Sequence, residues 1–372
     1  MGKRELLIAL AFIVAGTVAF QFSAPPAKDA AAGFSFAKLI DSARRGMRGN
    51  QAYTAPARTT AYPVDADIRE LRLQGANGPV KIVGDARTDV SLELTVRSTG
   101  ENEAAAIAIA NKTTVKEDRV GGVLTLQIVF PKEESQTSAM VLKVPQRLAV
   151  RMDGSRETTI TNVSAVELTS AARGTTQIDH IAGRVSGEQS GGTITLASVG
   201  ALKMTLTRAR GRISEILGEA SLDVRDGDTE IITSRGPLTI EERRGDITIR
   251  AHKGPVNVSG SDGRVRIEGS TAEVTLDLRR AEVDVELATG MGGSLVTSDE
   301  ELRVTWSDPA NVHLDAVATN STIDAADWAL TATKSGNDSR LDAVLGQKTS
   351  AAPRLSLRNQ NATIVIKKSR RK

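Results

Sequence analysis

No cysteine occurs anywhere in this chain. That excludes a disulfide framework, a thiolate zinc site and attachment through a lipidated cysteine. Aromatic residues are nearly as scarce: six Phe, two Tyr and two Trp among 372 residues. Five Phe and both Tyr precede residue 63, so Phe130, Trp306 and Trp328 are the only rings in the remaining chain. A thick globular core normally relies on rings that each bury roughly 150–250 Å². Disorder is the other way to lack them, but 40% hydrophobic content, much of it alternating Val, Ile and Leu, argues against it. A thin, elongated all-β body with an aliphatic interior is what remains. It leaves no room for a ring between two sheets spaced for Val and Ile.

A basic stripe for nucleic acid is missing too. The net charge of +3 splits into about +5 over residues 1–62, about +5 in the tail 367–372, and about −7 between them. Lys3 and Arg4 precede the apolar run Leu6–Phe20, extendable to Phe22. Such a start fits an export signal or signal anchor over 1–22, at the short limit for crossing a hydrocarbon core of about 30 Å. Pro25 and Pro26 directly follow the small residues Ser23 and Ala24, which disfavours cleavage there. The expectation is therefore a single anchor in a bacterial inner membrane through residues 6–22, with the body outside the cytoplasm; cleavage would make it secreted. Residues 23–62, rich in Ala, Pro and Arg, read as a flexible stalk. The repeat domain then covers 63–366, and the basic tail 367–372.

Within the domain, glycines fall at 218, 227, 236, 245, 254 and 263. After each comes a polar or small residue and then two aliphatics one residue apart, as in Gly236-Pro-Leu238-Thr-Ile240 and Gly254-Pro-Val256-Asn-Val258. Upstream the beat recurs at Gly174, Gly183, Gly192 and Gly200 and slips near Gly211; downstream it continues through Val274/Leu276 and Val283/Val285. Alternation of period 2 makes each unit a short half-buried strand, and glycine marks a corner where positive φ or close backbone approach is required. Two nine-residue units make one coil. The pattern thus predicts a parallel β-solenoid of about 18 residues per two-strand coil, with Leu238 on Val256 and Ile247 on Val265, about 4.8 Å apart. A three-sided coil, stacking residue i on i+27, is the alternative. Strands are expected at Val90–Val96, Val123–Phe130, Met140–Val144, Leu148–Met152 and Ile364–Ile366. A short helix is expected over Glu101–Lys112, with Ser98 and Glu101 at capping-box spacing. Such irregular ends would cap the stack.

The segments Gly75-Ala-Asn-Gly78-Pro-Val80-Lys-Ile82, Met140-Val-Leu-Lys-Val-Pro145-Gln-Arg-Leu148-Ala-Val150 and Ile160-Thr-Asn162-Val163 lead in order into the glycine ladder. With the Ala-rich helix between them, the chain resembles the bacterial "putative adhesin" β-repeat domains of cell-envelope proteins over about residues 65–366. The resemblance implies a β-solenoid, often behind an export signal, without established catalytic residues.

Candidate chemistry is sparse. His180, His252 and His313 lack metal-ligand spacing and read as solvent-facing. Asp223, Asp226 and Asp228 could suggest calcium between rungs, but the calcium nonapeptide pattern does not recur. Arg244-Gly245-Asp246 spells an integrin tripeptide, yet each residue already fits the ladder. Glu241-Glu242 beside Arg243-Arg244 is the best candidate for a carbohydrate-active β-helix enzyme, and reads first as a mixed-charge solvated face. The sequence therefore nominates no catalytic residue, no cofactor and no metal. It points to a non-enzymatic envelope scaffold that recognises an envelope protein or glycan, not nucleic acid. A carbohydrate-active enzyme and a self-polymerising solenoid are the competing readings.

Overall fold

A computed structural model describes residues 51–131, 135–170, 172–306, 310–346 and 352–369. The expected leader at 1–22 and the tail beyond Ser369 lie outside the described residues. Among the described residues no helix is long and apolar enough to cross a membrane.

Among the described residues strand follows strand, with one short α-helix and a 3₁₀ turn between them. Alternation of aliphatic and polar residues produces this directly. In Leu238–Arg243 and Asp246–Arg250 every second side chain is buried, and the intervening ones meet solvent. Pairing is parallel at 18 residues: Leu238 lies beside Val256 and Ile247 beside Val265. The two-strand coil is therefore observed, and the i+27 alternative does not occur there. Leu222, Ile240, Val258 and Leu276 form one continuous inner column. Ile231, Ile249, Ile267 and Val285 form the facing one. The slip near Gly211 is a rung one residue short, where Leu196 pairs with Ile213. After Val274 a rung gains one residue, and Val274 pairs with Gly293.

The corner glycines from Gly218 to Gly263 act by close approach rather than by positive φ, whereas Gly174 and Gly192 upstream do adopt positive φ. A Cβ on Gly236 would lie 1.8 Å from the Gly218 carbonyl oxygen, and one on Gly254 would lie 2.2 Å from that of Gly236. The left-handed conformation falls instead on residues with side chains: Asp226, Arg244, Asp262 and Arg280 at one corner, Thr233 and Ala251 at the other. Each pays about 1–2 kcal/mol for its Cβ, so the stack must impose that conformation.

Both ends are closed by the same device. At the amino end the rung Glu70–Gln74/Val80–Asp85 is inserted between Val123–Val129/Gln136–Pro145 and Ala149–Met152/Glu157–Thr161. Thr114–Val120 and Asp89–Gly100 then pair antiparallel on the outside. At the carboxy end the last rung in sequence, Arg354–Gln360/Ile364–Lys368, is inserted inside Val312–Thr319/Ile323–Asp324. Asp338–Leu345 and Thr333–Ser335 cover it antiparallel. The irregular ends are thus caps.

Four expectations are corrected. Strands Gln51–Thr54 and Arg58–Pro63 lie within the presumed stalk; the second pairs with Asp89–Gly100, so ordered chain begins before residue 63. The helix is Glu103–Ala110, and its cap is Asn102, whose side chain accepts from the Ala105 N–H at 2.9 Å. Ser98 lies in a strand and is buried. Finally, Trp306 is fully buried. It stands beside Leu287 where the inner corner column meets the carboxy cap, so a ring fits at the widened end of the stack.

Candidate functional site

The sequence-selected residues do not converge. Asp223 binds Arg225 at 3.0 Å, Asp226 binds Arg244 at 2.6 Å, and Asp228 lies 3.6 Å from Arg210. Each acid of the supposed calcium cluster therefore answers a separate arginine, and among the described residues no group of three or more His, Asp or Glu could hold a metal. In Arg244-Gly245-Asp246 the arginine is held bidentately by Asp226. His180 is exposed beside Asp179, and His313 bonds Asp342 at 2.9 Å.

His252 departs from the solvent-facing expectation. It is buried in a corner column between Ser234 and Ser270, and its Nδ1 lies 2.5 Å from the Ser234 hydroxyl. Burial lowers its pKa, partly offset by backbone hydrogen bonds, and so favours the neutral ring. The small residues at 234 and 270 were the available signal, since a serine on each neighbouring rung leaves space for an imidazole.

Glu242 is the second correction. Its neighbours Glu241, Arg243 and Arg244 are exposed, but Glu242 continues the inward series Leu238, Ile240. Val224 and Gly260 flank it on adjacent rungs. Its Oε1 accepts the Gly245 N–H at 2.5 Å, while Oε2 is buried without a hydrogen-bond partner. Desolvation pushes its pKa up to about 7, against the opposing Gly245 hydrogen bond, and the charges of Asp262 and Asp246 add to the rise. Glu241 and Glu242 therefore project to opposite sides of one strand. They cannot act on a common substrate as an acid–base pair.

The outer surfaces differ in how far they satisfy themselves. One corner carries Arg208, Asp226, Arg244, Asp262, Arg280 and Asp299 in alternating charge on successive rungs, all in solvent. Arg280 grips Asp262 bidentately at 2.6 and 3.0 Å. That bond, helped by Ser261, brings the Asp262 pKa down to about 2. The sheet face bearing Asp246–Arg250 is likewise cross-linked between rungs: Arg264 to Glu282 at 2.7 Å, Arg250 to Glu268 at 3.4 Å, Arg266 to Asp284 at 3.7 Å. Near the carboxy cap Asp315 is buried under Arg354 at 2.6 Å and Arg358 at 2.9 Å. The Arg358 hydrogen bond, with Arg354 adding, holds its carboxyl below the usual range.

The opposite face is different. Its central outward column is Ser221, Thr239, Asn257, Thr275, Ser294 and Ser356, on six consecutive rungs. None of these side chains hydrogen-bonds to another described residue. The 18-residue register is what aligns them.

No protein-family model matches the chain. No curated protein matches it either. Solved structures similar to it include a "putative cell adhesion protein" from Clostridium sporogenes, at 11% identity over 84% of this chain and 100% of that one, TM-score 0.19. Others are a "putative adhesin" from Bacteroides fragilis, at 11% identity over 84% and 97%, TM-score 0.23, and one from Parabacteroides distasonis, at 10% identity over 84% and 97%, TM-score 0.24. Two of these neighbours carry the description "putative adhesin" and the third "putative cell adhesion protein". Superposition this loose bears on neither fold, activity nor partner.

Proposed function

We propose that the chain is a non-enzymatic interaction scaffold of the bacterial cell envelope, an adhesin-like recognition module built as a two-sided β-solenoid. Residues 6–22 would anchor it in the inner membrane, leaving the body periplasmic or extracytoplasmic. One observation carries the reading: six rungs of unpartnered polar side chains face solvent on one sheet, while the charges of the other sheet and of one corner are tied to each other. A surface with unused hydrogen-bonding capacity is suited to contact; a surface already paired is suited to solubility.

The closed ends favour a discrete particle over a polymer. The amino-terminal edge strand Thr114–Val120 carries Lys116, Glu117, Asp118 and Arg119, and the carboxy-terminal edge strand Thr333–Ser335 has three residues. Short or charged edges discourage strand-to-strand growth. The opposed placement of Glu241 and Glu242 weighs against the glycosidase reading.

Protease protection tests the location. A carboxy-terminal tag on the full chain should resist protease in intact cells and be digested in spheroplasts. Protection in spheroplasts with digestion only after lysis would place the body in the cytoplasm and overturn the proposal.

A further inference from the structure

The ribbon of Ser221, Thr239, Asn257, Thr275, Ser294 and Ser356 has a chemistry specific enough to name what would lie on it. Five intervals of about 4.8 Å give a track of roughly 24 Å along the stack axis. Every side chain in it is short and neutral, and most offer both a donor and an acceptor. Two exposed prolines, Pro237 and Pro255, stand beside Thr239 and Asn257 on the same outward side and supply small apolar surfaces. On the other flank Val296 is 40% exposed. Shallow concavities adjoin the ribbon at both ends, one lined by Ser221, Asp223, Thr239 and Glu241, the other by Asp277, Arg279, Val296 and Arg358.

Charge then discriminates among polymers. The columns directly beside the ribbon carry Glu219 and Glu273 on one side and Asp223, Glu241 and Asp277 on the other. Arg225, Arg243 and Arg279 stand one column further out, and Arg225 is already bound to Asp223. The two flanking columns end in Arg354 and Arg358, both tied to Asp315. Over the rungs from Ser221 to Thr275 an anionic chain would lie between two acidic columns. Polyanions such as uronates, nucleic acids and phosphate-rich polymers are therefore disfavoured.

We infer that this ribbon is a binding track for an unbranched neutral polysaccharide lying along the stack axis. Its hydroxyls pair with the Ser, Thr and Asn side chains rung by rung, and its C–H faces rest on Pro237, Pro255 and Val296 in place of aromatic platforms. The inference rests on the scaffold reading and adds the ligand class and the face. Single contacts are weak, so recognition grows with the number of rungs engaged.

The test uses the full chain and linear oligosaccharides of the cello, xylo and chito series, from dimer to octamer, with polygalacturonate as the anionic contrast. Isothermal calorimetry should show at least one neutral series binding, with affinity rising with length until the track is spanned. Polygalacturonate should bind more weakly. Combining Thr239→Ala, Asn257→Ala and Thr275→Ala should lower affinity about tenfold or more while leaving the melting temperature unchanged. Thr248→Ala with Arg266→Ala on the opposite face should leave binding intact. Absence of binding by every neutral series, preference for polygalacturonate, or equal losses from both faces would overturn the inference. A body located outside the cytoplasm that binds none of these sugars would sink the track and leave the scaffold reading standing. Sugar binding by a cytoplasmic body would do the reverse.

Discussion

Glu242 offers the sharpest energetic test, because a single carboxyl is placed in an inward column with Leu206, Val224 and Leu278 on neighbouring rungs. Its pKa rises from 4.5 in the unfolded chain to about 7 in the stack. The folded state therefore holds a proton that the unfolded state releases between those values. Since the unfolded state binds fewer protons there, stability falls as pH rises. The favourable contribution is complete below about pH 4.5 and is lost as pH passes through about 7. At about 1.36 kcal/mol per unit, a shift of roughly 2.5 units is worth about 3 kcal/mol as an upper bound. Glu242→Gln keeps the shape and the acceptor for the Gly245 N–H but removes the titration. Hydrogen exchange of the strands Leu238–Arg243 and Val256–Ser261 isolates the local term from global unfolding of a long stack. At about pH 8 the variant should open less readily than the wild type by up to about 3 kcal/mol, and the gap should close near pH 5. Identical pH profiles for the two proteins would refute the buried, proton-holding carboxyl.

Three further perturbations follow from the same geometry. Gly236→Ala drives a Cβ to 1.8 Å from the Gly218 carbonyl oxygen, so it should lower the urea midpoint by more than a typical core substitution, on the order of 3 kcal/mol or more. Val256→Asp buries an unpaired carboxylate and should cost several kcal/mol by denaturation, whereas Asn257→Asp, one residue along and exposed, should be nearly silent. Asp262 is held near 2 by Arg280, so its contribution is present above about pH 3.8 and lost as pH falls through about 2. Arg280→Met should therefore lower melting slightly at neutral pH, as expected for an exposed pair, and leave it unchanged near pH 2, which flattens the acid limb of a thermal-melt series.

The inner columns were legible from the sequence because alternation and an 18-residue repeat are both counted directly. Leu238 on Val256 needs no more than that. The inserted end rungs were not legible: nothing local in Glu70–Gln74 tells that chain some fifty residues later will flank it on its outer side. Corner chemistry was half legible. The glycines announced crowding, but the left-handed residue is Arg244 or Ala251, whose type carries no such signal. Glu242 and His252 were misread because a polar residue in an alternating strand invites a solvated interpretation. Parity settles Glu242, two residues beyond Ile240, and the flanking serines hint at His252. The aligned Ser, Thr and Asn column was invisible in linear sequence, since its six residues are separated by 18, 18, 18, 19 and 62 positions.

The two-sided stack is defined by which residue stacks on which, and the absence of native cysteine makes that directly measurable. In the 18-residue coil Thr239 lies directly beside Asn257, at a Cα spacing of about 5 Å that is compatible with a disulfide. A chain carrying Thr239→Cys and Asn257→Cys should cross-link within the molecule on mild oxidation, seen as a shift on non-reducing electrophoresis after denaturation. One carrying Thr239→Cys and Arg266→Cys, 27 residues apart, should stay reduced. Cross-linking of the second pair and not the first would contradict the two-sided stack, and with it the aligned ribbon on which the proposed recognition surface rests.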